Sequence, residues 1–480
     1  MLNNFASLIL LGVSSIGIAS SCHAQEKPNV VFILADDMGW GDLGCYGHPY
    51  IKTPNLDNLA KRGALFTSFY ATGASCSPSR AGFMTGRFPG SLGIHSALSG
   101  EVAVNTRMGI VNYLDPKVST ITKLLHEAGY KTGHFGKWHL GHTPNAHSPT
   151  VYGIDDVRCF NAVNKDALIN NQFLQVKERA LHSEAIVDEG LRFIEENKDN
   201  HFYVNVWLTD PHALLNPSEE QMALYKKFHP RGVSDHGAMQ VYFAVITEVD
   251  KQVGRIMQKL DELHLAENTI LVFSSDNGPE HIGQPDGGTS HSGMGTAGPF
   301  RGHKHVIYEG GIRVPFIIRW PGHTPEGKVD NTTILSGADW LPTLCTLTGT
   351  RMPKNMSIDG MDMSQAFLGK PQERTKPLMW EARFQSTWLH LNLSPQLAIR
   401  DGKWKLLMNP DNSHIELHDL IRDPGEVDNL ADNNPSVVDR LSRQLLEWQN
   451  SLPFPPIPDD MQRTINRSPA PYPWPQENKK

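Results

Sequence analysis

Acidic and amide side chains follow two apolar runs of this sequence. Asp36 and Asp37 come directly after one run, and Asp276 and Asn277 follow another run and two serines. Neighbouring carboxylates repel each other unless a cation lies between them. Three carboxylates and one amide oxygen, brought together, form an all-oxygen site that favours Ca²⁺ or Mg²⁺ over Zn²⁺. The pairs therefore predict a hard-cation site, although either pair alone is more often a turn or a helix cap.

Cys76 opens the segment Cys76-Ser77-Pro78-Ser79-Arg80, which continues as Ala-Gly-Phe-Met-Thr-Gly-Arg. Proline is typical of the first turn of a helix, so we expect Cys76 just ahead of a helix N-terminus. That position favours bound anions and an activated sulfur. An ordinary cysteine near a helix cap is the alternative interpretation.

Further basic side chains stand in short polar segments. Taken singly, each is more often a solvated lysine or a surface histidine. Their joint occurrence beside the acidic pairs and Cys76 is what makes a shared site the better interpretation. These residues are Lys137, His139, His212 and Lys304.

Strands and helices alternate along the first 370 residues. Continuous apolar runs indicate strands that are buried on both faces, and amphipathic stretches between them indicate helices. The pattern predicts an α/β fold with a large mixed, mostly parallel sheet sandwiched by helices. In such sheets, sites form at the carboxyl ends of the strands. The strands are expected at 29–35, 202–208, 269–273 and 314–320, and the helices from Thr53, from Ser119, over 183–197 and over 239–263.

After about residue 370 the pattern changes. Two apolar segments flank Asp401-Gly402, which is a strong signal for a β-hairpin. A further short strand is expected at 415–418 and a helix at 437–448. The sequence thus predicts a smaller C-terminal α+β unit on an antiparallel sheet, followed by a Pro-rich tail.

The motifs in this order resemble the type I, formylglycine-dependent sulfatase family of the alkaline phosphatase superfamily. The resemblance starts from Cys76-x-Pro78-x-Arg80 and Thr85-Gly86-Arg87, and it extends from Pro28 to the C-terminal hairpin. Within the family, the segments at 210–212 and 298–302 are most similar to bacterial polysaccharide and glycosaminoglycan sulfatases. The resemblance implies an alkaline-phosphatase-like sheet and the hydrolysis of sulfate esters of carbohydrates, with galactose-type or N-acetylgalactosamine sulfates as the expected substrates.

The resemblance also implies roles for individual residues. Cys76 would be converted to formylglycine by a formylglycine-generating or anaerobic sulfatase-maturating enzyme, and its hydrate would attack sulfur. Ca²⁺, with Mg²⁺ less favoured, would be held by Asp36, Asp37, Asp276, Asn277 and the modified residue 76. Arg80, Lys137 and Lys304 would neutralise the sulfuryl oxygens, His212 would protonate the leaving group, and His139 would deprotonate the second hydroxyl.

Two other functions remain open at this point. A phosphate or phosphonate ester hydrolase of the same superfamily often uses two Zn²⁺ ions and a Ser or Thr nucleophile, which the oxygen-rich set and Cys76 argue against. A non-catalytic glycan-binding relative would leave Cys76 unmodified. The net charge of −7, from 44 basic and 51 acidic residues, gives no basic field for general nucleic-acid binding.

The first 24 residues are typical of an export signal. Residues 8–19 are apolar or small and too short to span a bilayer, and Ala24 suits a cleavage site. Residues 19–22 also resemble a bacterial lipoprotein box, so Cys22 could carry a lipid. A buried N-terminal helix is the alternative. We expect an exported protein, periplasmic, anchored in the outer membrane or secreted, with a signal at 1–24, a catalytic domain at 25–370 and the C-terminal unit at 371–480.

Several side chains keep more than one interpretation. Four cysteines after the signal allow three disulfide pairings, and free thiols are the alternative for all but Cys76. The segment Gly287–Gly298 is a candidate substrate lid, and a passive loop fits equally well. Three tryptophans could stack on sugar rings, although tryptophan is more often a core residue. They are Trp207, Trp340 and Trp388.

Overall fold

The chain is described by a computed structural model that covers residues 27–160, 178–231, 236–281, 291–383 and 393–452. Within these ranges no helix combines the length and apolarity needed to cross a membrane. The proposed signal peptide with Cys22, residues 287–290 of the Gly287–Gly298 segment, Trp388 and the tail after residue 452 lie outside the described residues.

Thirteen strands of the described ranges form two sheets. The first nine strands belong to the large sheet and the last four to a second sheet. They are β1 Asn29–Ala35, β2 Ala64–Tyr70, β3 Lys131–Lys137, β4 Asp156–Phe160, β5 Phe202–Trp207, β6 Thr269–Ser275, β7 Arg313–Arg319, β8 Lys328–Asp330, β9 Leu335–Ser336, β10 Leu378–Glu381, β11 Leu397–Asp401, β12 Trp404–Met408 and β13 Glu416–Asp419.

The large sheet has the order β4-β3-β5-β1-β6-β7-β2-β8, with β9 also paired to β2. Only β7 runs antiparallel to its neighbours among the described pairs. Every residue of β1 is buried: Phe32 and its even-numbered neighbours face one core, while Val31 and Ile33 face the other. This two-sided burial is why the strand is a continuous apolar run. The predicted mixed, mostly parallel sheet is confirmed.

Helices cover both faces of the large sheet. Apolar side chains of α2, α4 and α9 pack on one face, and those of α1, α5 and α7 pack on the other. The α-helices of the described ranges are α1 Pro54–Lys61, α2 Cys76–Thr85, α3 Val102–Arg107, α4 Ile121–Glu127, α5 His182–Glu196, α6 Glu219–Met222, α7 Ala238–Glu262, α8 Glu309–Ile312, α9 Trp340–Thr348, α10 Ser364–Phe367 and α11 Pro435–Asn450.

The helix after β2 starts one residue earlier than the sequence predicts. Ser75 is extended and is the residue before the helix, so Cys76 is its first helical residue rather than the residue ahead of it. All ten residues of α2 are buried. The helix therefore carries Cys76 and Arg80 into the interior of the protein.

The second sheet is antiparallel, as predicted. Its strands follow the order β10-β11-β12-β13, and Gly402 with a φ of +58° makes the tight turn between β11 and β12. Leu441 and Leu445 of α11 belong to the core of this sheet. The Trp380 indole donates to the Ala71 carbonyl at 2.8 Å, which ties the second sheet to the segment that leads into α2.

The cysteines of the described ranges are free thiols. Cys76, Cys159 and Cys345 are buried, and Cys45 is partly buried. None of the three possible disulfide pairings is formed, so the free-thiol alternative is the correct one.

Candidate active site

The polar pairs meet at one edge of the large sheet. Asp36 and Asp37 directly follow β1, Asp276 directly follows β6, and Lys137 is the last residue of β3. These three strands and β5 run parallel, so their carboxyl ends lie at the same edge. This is the edge where sites form in α/β sheets. The segment after β2 brings Cys76 to the same edge.

Four of the predicted metal ligands lie within reach of one ion. Single donor atoms of Asp36, Asp37, Cys76 and Asp276 are all within 4.8 Å of one another, and all four residues are buried. Asp37 has a φ of +70°, and its backbone N–H donates to Asp276 Oδ1 at 3.1 Å. Asn277 donates from Nδ2 to Asp37 Oδ1 at 2.8 Å. The structure thus brings the whole predicted ligand set together.

The donor set fits a hard divalent cation. Asn277 Oδ1 is buried and has no hydrogen-bond partner, so an acceptor is left over in the middle of the carboxylates. Burial and the carboxylate of Asp36 raise the pKa of Asp276 to about 7. A bound cation would coordinate Asn277 Oδ1 and would reduce the repulsion between the Asp36 and Asp276 carboxylates. Among the described residues, no other group of His, Cys, Asp and Glu side chains is spaced to share a metal ion.

Buried cations pair with the carboxylates. The Lys137 Nζ lies 2.6 Å from Asp36 Oδ2, and the Lys304 Nζ lies 2.7 Å from Asp37 Oδ2. Burial alone would raise the pKa of Asp36, but nearby cations, Lys137 foremost, hold that pKa well below its usual range. Buried charges of this kind persist only when they are paired and hydrogen-bonded. The cluster is therefore a preorganised array of opposite charges.

Arg80 is fixed on all sides. It is fully buried, and its Nε and Nη2 atoms donate to Asp276 Oδ2 at 3.0 and 2.7 Å. Nη1 donates to the Lys137 carbonyl at 2.8 Å, and the guanidinium lies 5.2 Å from the ring centre of Trp207. Trp207 and Trp340 are buried in the core, so for these two the core interpretation is the correct one and the sugar-stacking alternative is not. The Trp207 ring instead packs against the Arg80 guanidinium.

The Cys76 thiol lies between the Asp36 carboxylate and the Lys137 ammonium group. Its Sγ is 3.4 Å from Asp36 Oδ1 and 3.3 Å from the Lys137 Nζ. Burial raises the pKa of the thiol well above its usual value, and the favourable Lys137 charge does not offset this. The expectation of an activated sulfur is therefore wrong for the unmodified side chain. A protonated, buried thiol is a poor nucleophile.

His139 presents one free ring nitrogen to the interior. Its Nε2 is 3.1 Å from the Leu98 carbonyl, which can only accept, so Nε2 carries the hydrogen. Nδ1 is buried without a partner. Burial and the Lys137 charge lower the pKa of His139 well below its usual value. The Ser77 hydroxyl holds this arrangement, donating to the His139 carbonyl at 2.7 Å and accepting from the Leu98 N–H at 3.0 Å.

His212 lies at the rim of the cluster with its side chain partly exposed. Its Nδ1 is 2.8 Å from the Ala213 carbonyl, so Nδ1 carries a hydrogen and Nε2 faces the site. Nε2 lies 3.7 Å from Asp37 Oδ2. Burial and the Lys304 charge lower the pKa of His212. The exchangeable proton of this side chain is therefore the one on Nε2.

Some residues of the site were not predicted. Glu280 is buried and lies 3.2 Å from the Lys304 Nζ, and Ser77 and Arg179 hold the backbone near His139 and His212. Only Glu280 had a weak local signal, as a second acid close to Asp276 in the sequence. The site then contains four carboxylates and three cations. They belong to Asp36, Asp37, Asp276 and Glu280, and to Arg80, Lys137 and Lys304.

The formal charge of these groups is 3 − 4 = −1. A divalent cation would change it to +1, which is opposite to the single negative charge of a sulfate monoester. The arrangement can therefore hold an ester with one negative charge once the cation is bound.

Comparisons with known proteins agree with this geometry. The family profile described as Sulfatase matches residues 28–350, and the profile described as N-sulphoglucosamine sulphohydrolase, C-terminal, matches residues 298–451. The N-acetylgalactosamine-6-sulfatase of Sus scrofa is 34% identical over 392 residues, which are 76% of this chain and 70% of that protein. The N-acetylgalactosamine-6-O-sulfatase of Bacteroides thetaiotaomicron is 30% identical, over 88% of this chain and 93% of that protein.

Solved structures share the fold. The crystal structure of Ps i-CgsB in complex with k-i-k-neocarrahexaose superimposes with a TM-score of 0.72 at 28% identity. The match covers 88% of this chain and 93% of the other.

Proposed function

The chain belongs to the sulfatase family and is a sulfuric ester hydrolase, and we propose that it removes sulfate from galactose-type or N-acetylgalactosamine-type sugars. The relatives from Sus scrofa and Bacteroides thetaiotaomicron, which act on N-acetylgalactosamine 6-sulfate by their names, support this substrate class. The observation that carries the proposal is the position of Cys76 within hydrogen-bond distance of both Asp36 and Lys137, inside a buried carboxylate cluster.

We further propose that Cys76 is converted to formylglycine by a maturation enzyme and that the carboxylates hold Ca²⁺. The hydrate of formylglycine would supply a nucleophilic hydroxyl that the buried thiol does not offer, and a second hydroxyl for the release of sulfate. Asp36, Asp37, Asp276, Asn277 and residue 76 would hold the ion, which would withdraw charge from the sulfuryl oxygens.

The basic side chains of the chain itself then bind and orient the ester. Lys137 and Lys304 present their ammonium groups beside the metal ligands, where they can receive sulfuryl oxygens as charge develops. Arg80 is held in place, because its Nε and Nη2 atoms donate to Asp276 and its Nη1 atom donates to the Lys137 carbonyl. We propose that Arg80 holds the nucleophilic side chain of residue 76 and the Asp276 carboxylate in fixed positions relative to each other.

Two histidines move protons at opposite sides of the reacting centre. Because Nδ1–H is held by the Ala213 carbonyl, protonation of His212 adds the second proton at Nε2, at the partly exposed rim where a sugar oxygen would leave. We propose this imidazolium form as the general acid. His139 keeps its Nδ1 lone pair free in the interior, so we propose it as the base for the step that releases sulfate.

Export completes the proposal. We propose that residues 1–24 direct the chain to the periplasm, the outer membrane or the medium, with a lipid on Cys22 as the one membrane attachment. We also retain 25–370 and 371–480 as the proposed division into a catalytic and a C-terminal unit.

The test is sulfate release from sulfated monosaccharides, oligosaccharides and polysaccharides by protein made with a formylglycine-generating partner. Cys76→Ala should abolish release, while Cys159→Ala, which alters another buried thiol on β4, should leave it unchanged. Release from N-acetylgalactosamine or galactose sulfates is expected. A converted, calcium-loaded enzyme that releases sulfate from none of these sugars would overturn the substrate class.

A further inference from the structure

The turn that carries His212 is held from outside the catalytic cluster. It follows β5 without regular structure over residues 209–213. Arg179 donates from Nη2 to the Thr209 carbonyl at 3.1 Å and to the His212 carbonyl at 2.9 Å. Its Nη1 lies 2.6 Å from Asp210 Oδ1. One guanidinium thus contacts both ends and the middle of the turn.

Two further contacts make the Asp210 end of the turn rigid. The hydroxyl of Ser183, in the first turn of α5, donates to Asp210 Oδ2. The backbone N–H of Asp36 donates to the Asp210 carbonyl at 3.0 Å. The turn is therefore joined on one side to the metal-ligand strand and on the other side to Arg179 and α5.

We propose that Arg179 is a positioning residue for the general acid: it sets the place of His212 Nε2 relative to the leaving oxygen without touching the substrate. The inference rests on the proposed role of His212. Arg179 contacts the backbone and a carboxylate of the turn and none of the residues of the carboxylate cluster. Its planar fork of donors can hold two carbonyls and a carboxylate at once, which a lysine cannot do.

The consequence is a dependence on the leaving group. A sugar alkoxide is a poor leaving group and needs a proton in the transition state, whereas 4-nitrophenolate leaves without one. Displacing the general acid by about 1 Å costs on the order of 100-fold in rate. Loss of Arg179 should therefore slow the hydrolysis of sugar sulfates far more than the hydrolysis of 4-nitrophenyl sulfate.

The experiment compares Arg179→Met, Arg179→Lys and Arg192→Met in the matured, full-length enzyme. Arg192 lies on α5 and pairs with surface acids, so its replacement is the matched control. We expect Arg179→Met to lower kcat on N-acetylgalactosamine 6-sulfate about 100-fold and kcat on 4-nitrophenyl sulfate less than about fivefold. KM should change little for either ester, Arg179→Lys should recover only part of kcat, and Arg192→Met should match the unchanged enzyme.

A double-mutant cycle separates positioning from general damage. In a His212→Ala background the general acid is already missing. Adding Arg179→Met to that background should therefore lower kcat on the sugar sulfate by less than about threefold further. An equal loss on both esters, or a full additional loss in the His212→Ala background, would overturn the inference. Ser183→Ala removes a different contact of the same turn, and it supplies the same two comparisons if Arg179→Met does not fold.

The unchanged enzyme reports on the proposed function separately. Its release of sulfate from any ester tests the sulfatase activity, and only the ratio between the two esters in the variants tests Arg179. A crystal structure of Arg179→Met should show the His212 ring displaced from its contact with the Ala213 carbonyl, whatever the activity. An undisplaced ring would contradict the inference directly.

Discussion

Two clusters of buried charges in this molecule use the same residue types for different ends. The active-site cluster combines Asp36, Asp37 and Asp276 with Arg80 and Lys137. The junction cluster lies between the two sheets, where the Lys405 Nζ is 3.0 Å from Glu309 Oε1 and 2.8 Å from Glu426 Oε1. All three of these junction residues are fully buried.

The clusters differ in how many potential metal-ligand atoms lie close together. In the junction cluster, Glu309 also accepts from the Tyr70 hydroxyl and from Arg313 Nη1. Burial alone would raise the pKa of Glu309, but Lys405 and Arg313 lower it to about 2. In the active-site cluster, burial and Asp36 raise the pKa of Asp276 to about 7, and Asn277 Oδ1 has no partner. The junction cluster also keeps a buried oxygen without a hydrogen bond, Glu426 Oε1, although Lys405 is ion-paired with it. Within the described residues, only the active-site cluster brings three carboxylates and Cys76 within 4.8 Å of one another, and this convergence distinguishes the cluster that can take a cation from the one that joins two sheets.

The largest effect is expected from Asp276→Asn. It should lower sulfate release at least about 1,000-fold, because the site loses a metal ligand and the anchor of Arg80. In calcium-free buffer the free energy of unfolding should fall by less than about 1 kcal/mol, because the repulsion with Asp36 is also removed. Differential scanning calorimetry with and without Ca²⁺ checks this. A variant that still gains stability from Ca²⁺ as the unchanged protein does would contradict the assignment of the ligand.

Glu309→Gln should lower the free energy of unfolding strongly and leave the activity nearly unchanged. Removing one partner of a buried ion pair costs about 3–5 kcal/mol, because Arg313 loses its carboxylate partner and Lys405 keeps only Glu426. The kcat of the remaining folded enzyme should change less than about threefold. Urea unfolding at pH 7 measures the loss, and Glu447→Gln on the exposed face of α11 is the control. A collapse of kcat at unchanged stability would place Glu309 in the catalytic machinery instead.

The stability contributed by Glu309 should also depend on pH. Its folded pKa of about 2 is below the ordinary value of 4.5, so the contribution is fully present above pH 4.5 and is lost as the pH falls toward 2. The difference in unfolding free energy between the unchanged protein and Glu309→Gln should be constant from pH 7 to pH 5. The difference should then shrink by about 1 kcal/mol at pH 4 and by about 2 kcal/mol at pH 3. A difference that grows on acidification would contradict the sign of the shift.

The sequence predicts those strands and site residues whose pattern is local, and it does not predict those that depend on contacts with distant parts of the chain. The strands β1 and β6 are continuous apolar runs, so both were located, and the polar pairs after them marked the right sheet edge. Strand β3 was missed, because Lys131–Lys137 contains two glycines and a histidine rather than an apolar run. Gly136 has a φ of +106°, and a Cβ there would meet the Trp207 carbonyl at 1.9 Å, so close packing on β5 dictates its residue type.

The remaining differences have a common physical cause. Trp207 supports Arg80 because β5 is central in the sheet, and nothing in the local sequence separates that role from a sugar platform. Burial keeps the thiol of Cys76 protonated, which position at a helix start does not reveal. Arg179 contacts a turn about thirty residues away, and no local pattern announces such a contact. Motif order predicted which polar residues lie together at the sheet edge, and long-range packing determines their surroundings.

The most direct test of the account relates activity to the state of residue 76. Protein batches with graded conversion, measured by peptide mass at Cys76, are assayed for sulfate release from N-acetylgalactosamine 6-sulfate with calcium present. We expect the rate of sulfate release to be proportional to the converted fraction. The unconverted protein, whose thiol is buried and protonated, should release no sulfate. Sulfate release at an unchanged rate from fully unconverted protein would contradict it.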